Sequence, residues 1–180
     1  GYATGGFGKW GIGGRGTSGV PENHGFDEFF GYYDQVHAHT FYPQYLIRNS
    51  VEVPLQGNDS TSFYEGKTHA QTEIFKESLG FIEKHHDRPF FCYLPWTPPH
   101  GLWGMPEDDP AWQKYKGRKW DARNQKGEHD AQMYAAMVEM VDRQLGEIMA
   151  LLRELKIDDN TIVFMCGDNG GQPYFMNEHH

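Results

Sequence analysis

Two short runs, Pro89–Leu94 (PFFCYL) and Thr161–Cys166 (TIVFMC), constrain this chain more than any other feature. Both are apolar throughout rather than alternating, which is the pattern of a strand buried on both faces. Such strands belong to parallel sheets covered by helices. Each run also follows a stretch of helical periodicity. Ala70, Ile74, Phe75, Leu79 and Ile82 recur at three- and four-residue spacing and predict a helix over about 68–85, with Thr68 and Gln71 as a capping box and Asp87-Arg88-Pro89 as its stop. From Asp130 to Lys156, a stripe of Met133, Met137, Met140, Val141, Leu145, Ile148, Leu152 and Leu155 runs clear of the charged residues and predicts a second helix. The order helix, strand, loop, helix, strand predicts an α/β fold with a mostly parallel sheet flanked by helices.

The remaining segments read as connections. Eleven glycines in the first 31 residues are too many for a helix and predict a tightly turning loop. Gly31–Pro54 reads as loop with one hairpin, its VEVPL end alternating like a short strand. Residues 95–128 are first proline-rich and then basic, and predict a long surface excursion without regular structure.

Composition excludes several classes of function. The balance of 16 basic and 25 acidic side chains leaves a net charge of -9, which argues against a nucleic-acid partner. No apolar run approaches the roughly 20 residues needed to span a bilayer, and GYATGGFGKW lacks the pattern of a secretory signal. Cys92 and Cys166 both fall inside the strand runs, the usual setting of small buried thiols. The start at Gly1 without an initiator Met and the stop at His180 within a polar stretch predict that residues 1–180 are an internal part of a longer chain. Oligomeric state is left open.

Ligand crevices of parallel α/β sheets lie beyond the carboxyl ends of the strands, and two candidate sites fall there. After TIVFMC comes Gly167-Asp168-Asn169-Gly170-Gly171, whose carboxylate and amide carbonyl are adjacent hard oxygen donors suited to Ca²⁺ or Mg²⁺. The same residues also make an ordinary turn. After PFFCYL comes Thr97-Pro98-Pro99-His100, in which two prolines stiffen the backbone ahead of an imidazole able to donate a proton or hold an anion. Lys9, among small residues in Gly8-Lys9-Trp10, can approach an anionic oxygen closely. It is not a Walker A lysine, because Trp10 stands where Ser or Thr is required. His37 and His39 would point to one side of an extended segment and line a substrate site. The basic run Lys114, Lys116, Arg118, Lys119, Arg123 and Lys126, interleaved with Trp112, Tyr115 and Trp120, reads as a solvated face ahead of an anionic-polymer contact. His179 and His180 have no surrounding pattern.

Together GYATGGFGKWGIG, GFDEFFGY, PFFCYLPWTPPH and YAAMVEMVDRQLGEIMALLRELKIDDNTIVFMCGDNGG resemble the sulfatase family of the alkaline phosphatase superfamily, in the family's order and across the whole chain. The resemblance implies that Asp168 and Asn169 are two ligands of Ca²⁺, with Mg²⁺ the alternative. It also implies that Lys9 binds a sulfate oxygen and that His100 contacts the sulfate and its leaving oxygen. The substrate class implied is an aryl or carbohydrate sulfate ester, in the periplasm or outside the cell. The nucleophile implied is a formylglycine made from CxPxR or SxPxR.

The chain departs from the family pattern in two places. Gly11 stands where most members carry His, so His37 or His39 is expected to fold back in its place. No CxPxR occurs, since Cys92 is followed by Tyr-Leu-Pro and Cys166 by Gly-Asp-Asn, so the nucleophile is expected outside this chain. Two alternatives stand beside the sulfatase reading: a phosphodiester or phosphonate hydrolase of the same superfamily, and a non-catalytic module that binds anionic glycans. The sulfatase reading further expects Lys9, His100, Asp168 and Asn169 to converge on one anion pocket.

Overall fold

A computed structural model describes residues 1–119 and 127–171, with the side chains of 127–130 outside that description. The chain divides into two compact units, Gly1–Gly104 and Met105–His180.

The first unit is built on a five-stranded sheet of order β4-β3-β2-β1-β5. Its strands are β1 (Ala3–Lys9), β2 (Glu28–Tyr32), β3 (Tyr45–Arg48), β4 (Val51–Pro54) and β5 (Phe90–Tyr93). β1 pairs in parallel with both β2 and β5, while β3 and β4 add an antiparallel edge, so the α/β expectation holds and the sheet is mixed. β3 and β4 form the expected hairpin. Its two-residue turn, Asn49-Ser50, has φ of 43° and 66° at the two positions, as hairpin twist favours.

The glycine-rich start is the first correction, because ATGGFGK is a central strand and not a loop. A strand without side chains lacks the alternation that would reveal it, yet it lets backbone and rings come close. A Cβ on Gly8 would lie 2.2 Å from the Pro95 carbonyl oxygen, and one on Gly31 would lie 1.9 Å from that of Gly8. Both glycines also have φ near +150°, at 146° and 154°, which L side chains rarely adopt. Phe7 and Phe29 are buried within this sheet.

The predicted first helix is α1 (Ala70–His85), which buries Ile74, Phe75, Phe81 and Ile82. It packs against β1, β5 and β2. The capping box is not made: Thr68 donates its hydroxyl to the Gln56 carbonyl, and the cap position falls to His69. His69 Nδ1 instead lies 3.2 Å from the Thr72 hydroxyl, and Ala70 N–H donates to Phe41 O at 2.8 Å. β5 follows as predicted, but as an edge strand that exposes Phe91 and Tyr93 rather than a strand covered on both faces.

In the second unit, α2 (Pro110–Tyr115) lies inside the segment predicted to lack regular structure. Pro110 opens it without penalty, since proline fits the first helical turn, and Asp109 caps it by accepting from Ala111 N–H at 2.8 Å. α3 (Gly127–Glu154) is the predicted long helix and packs against α2, with Met133, Met137, Met140, Ile148 and Leu152 buried. Arg143 reaches back to Asp109 at 2.6 Å. Residues 161–166 correct the sequence reading: among the described residues they pair with no strand, and Ile162, Phe164 and Met165 are exposed. Apolar content permits a buried strand, but the ladder needs a partner edge, which a run of sequence cannot report.

Candidate active site

The parallel strands β5, β1 and β2 end on one edge of the sheet, and the candidate residues of the first unit gather along it. Lys9 closes β1. Its N–H donates to Pro95 O at 2.8 Å, tying the end of β1 to the chain that leaves β5, while Trp10 and Gly11 donate to Tyr32 O and Tyr33 O at 2.8 and 3.0 Å. Trp10 anchors this junction: its indole N–H donates to Gly19 O at 2.6 Å, and its ring packs against Phe26 and Phe29. The Lys9 side chain is half-buried and has no ion-pair partner among the described residues. An ammonium placed at a strand end without a carboxylate is available to an anion.

His100 follows β5 through Trp96-Thr97-Pro98-Pro99, with Pro98–Pro99 in cis. Its N–H donates to Thr97 O at 3.0 Å, and its exposed ring holds Nδ1 3.4 Å from Gly101 O. The His37–His39 segment is one turn of 3₁₀ helix, not an extended strand, so the two imidazoles point different ways. His37 packs on the rings of Tyr32 and Tyr45, with centroids 5.2 and 4.6 Å away, and burial holds it below the usual histidine range against the pull of Asp34. His39 faces His100, with ring centroids 4.9 Å apart. Sequence spacing did not separate the two; the turn did.

Asp168 and Asn169 lie in the second unit, in an exposed bend, and neither side chain is paired among the described residues. The donors are oxygens only, which suits a hard divalent cation, and two of them fall short of the six to eight that Ca²⁺ takes. Among the described residues no group of three or more His, Cys, Asp or Glu comes together. Cys92 sits in β5, where burial pushes its thiol up to about 12, the opposite of an activated nucleophile. Cys166 is exposed, which corrects the expectation of a second buried thiol.

The basic run is largely occupied with neighbours: Lys114 pairs with Glu139, Lys116 with Glu107, and Arg118 lies over the Tyr115 ring. Trp112 is buried. Trp120, Arg123, Lys126, His179 and His180 lie outside the described residues.

Residues 1–180, the entire chain, match the family model described as Sulfatase. The chain belongs to the sulfatase family. Similar relatives include the uncharacterized sulfatase YdeN of Escherichia coli (strain K12), 30% identical over 83% of this chain and 23% of that one. N-acetylgalactosamine-6-sulfatase of Sus scrofa is 31% identical over 94% of this chain and 31% of its own length. Arylsulfatase of Hemicentrotus pulcherrimus is 31% identical over 99% and 31%. The chain thus spans less than a third of these relatives. Among solved structures, Ps i-CgsB in complex with k-i-k-neocarrahexaose superposes with a TM-score of 0.63 at 23% identity, over 86% of this chain and 34% of that one. A structure in complex with its substrate D-glucosamine-2-N,6-O-disulfate gives 0.55 at 18%, over 89% and 46%. These two likenesses show that the chain shares the fold of those structures.

Proposed function

We propose that this chain carries part of the anion site of a sulfuric ester hydrolase acting on aryl or carbohydrate sulfate esters outside the cytoplasm. One observation carries the reading: Lys9 ends β1 without an ion-pair partner among the described residues, and its backbone is bonded to Pro95, on the chain leading to His100. An ammonium at the end of β1 and an imidazole on the loop that follows the neighbouring parallel strand β5 suit a transferring sulfuryl group. Lys9 binds a sulfuryl oxygen, and His100 contacts the group and its leaving oxygen. Asp168 and Asn169 are the residues of this chain that would hold Ca²⁺, which supplies charge stabilisation for the sulfuryl oxygens when bound. Neither cysteine stands in a CxPxR motif and the Cys92 thiol is suppressed, so the reading takes a formylglycine nucleophile from outside this chain.

The test uses the full-length gene product with 4-nitrophenyl sulfate and sulfated oligosaccharides, alongside bis-4-nitrophenyl phosphate. Release of sulfate is expected, with Lys9→Ala lowering kcat/KM by about 100- to 1000-fold. Chelation followed by readdition of Ca²⁺ should abolish and then restore turnover. Phosphodiester cleavage without sulfate release would move the protein to phosphoryl chemistry. Salt-sensitive glycan binding with neither activity would make it a binding module.

A further inference from the structure

The turn after β2 fills a place that residue 11 leaves empty. Gly11 has φ +73°, and a Cβ on it would meet the Gln35 side chain at 3.2–3.5 Å, so Gln35 lies directly against the place where a side chain at 11 would begin. The turn that carries Gln35 is firmly built. Asp34 Oδ1 accepts from Val36 N–H at 2.8 Å and His37 N–H at 3.0 Å, and the His37 ring is wedged against Tyr32, itself fully buried, and Tyr45.

His39 is the residue this turn presents. Its N–H donates to Val36 O at 3.0 Å, and its Nδ1 lies 3.2 Å from the same oxygen. A carbonyl only accepts, so Nδ1 carries the proton and Nε2 is the nitrogen left for other chemistry. The half-buried His39 ring lies edge-to-face with His100 at 77°. His100 is the more loosely held of the two, with its Nδ1 contact at 3.4 Å and its ring exposed. A proton donor works best when its ring is fixed.

We propose that His39 is a second catalytic imidazole acting with His100 on the leaving oxygen of the ester. This rests on the sulfatase reading above. As the bond between sulfur and the leaving oxygen breaks, its electron pair goes to that oxygen. The proton on Nε2 of protonated His39 follows, leaving the alcohol and a neutral imidazole with its lone pair at Nε2. Water returns the proton for the next turnover.

The experiment compares wild type, His39→Asn, His39→Gln, His100→Asn and the double variant His39→Asn with His100→Asn of the full-length gene product across aryl sulfates whose phenols span a range of acidity. Thermal melts are recorded for each. Loss of proton donation harms poor leaving groups most, so the His39 variants should lose about 100-fold or more in kcat for the least acidic phenol and far less for 4-nitrophenol. The double variant should lose less than the product of the two single losses, since the rings act as a unit. An equal loss across all phenols, an unchanged kcat, or unfolding of both His39 variants would overturn the assignment. A wild type that hydrolyses no sulfate ester would instead overturn the sulfatase reading itself.

Discussion

At the scale of single residues, burial and close approach decide behaviour more than residue type. Cys92 and Cys166 both stand in apolar runs, yet Cys92 is held in β5 with its thiol pushed up to about 12 while Cys166 is exposed. A thiol reagent at pH 8 should label Cys166 fast and Cys92 only on unfolding, which peptide mass spectrometry resolves; equal rates would contradict the burial of the Cys92 thiol. Gly8 shows the opposite limit, where nothing larger than hydrogen fits against Pro95 O. Gly8→Ala should destabilise the chain by about 3 kcal/mol or more, read from urea denaturation, because backbone must move on both sides. Gly11→Ala meets only the flexible Gln35 side chain and an unfavourable φ, so its cost should be smaller.

At the scale of elements, the links between helices and strands carry both stability and pH dependence. Glu28 at the start of β2 takes hydrogen bonds from Lys84 and His85 at the end of α1, at 2.5 and 3.1 Å. Arg88 also donates to His85 Nδ1, at 2.9 Å from Nη2; guanidinium has no acceptor, so the His85 proton sits on Nε2 and faces Glu28. Burial alone would push Glu28 up, but those hydrogen bonds outweigh it and hold its carboxyl below the usual range. A depressed carboxylate stabilises the fold above its unfolded value, and that contribution is lost as pH falls through the folded one. As pH falls through and below the ordinary glutamate range, wild type should therefore lose stability more steeply than Glu28→Gln, followed by thermal melts. Asp109 joins α2 to α3 by capping the first and pairing with Arg143 of the second. Asp109→Ala should cost about 1–3 kcal/mol, and Asp109→Asn, which keeps the cap, should recover part of it.

α1 and α3 were readable because a helix satisfies its hydrogen bonds within itself and displays its buried face as a period. β1 is hidden in the sequence because Gly5, Gly6 and Gly8 have no side chains to alternate, and residues 161–166 read as a strand although a strand is completed only by its neighbour. α2 is not legible in the sequence because proline ordinarily breaks a helix, whereas Pro110 occupies the one helical turn that tolerates it.

At the scale of the whole molecule, four motifs in family order point to the sulfatase family, since each is a local run and together they fix residues spread along the chain. Catalysis needs the nucleophile as well. The 180 residues expressed alone should release no sulfate from 4-nitrophenyl sulfate, whereas measurable turnover by them would mean that a nucleophile lies within this chain and the formylglycine reading fails.

By itself the sequence determined what is local or additive: two helices from periodicity, the hairpin, the charge balance, and the residue types Lys9, His100, Asp168 and Asn169 at segment ends. Only tertiary structure decided that a glycine-rich stretch is the centre of a sheet, that Gln35 covers Gly11, and that His39 rather than His37 meets His100. Those outcomes depend on contacts between residues distant along the chain, whose energies arise from packing and strand pairing and leave no period to read.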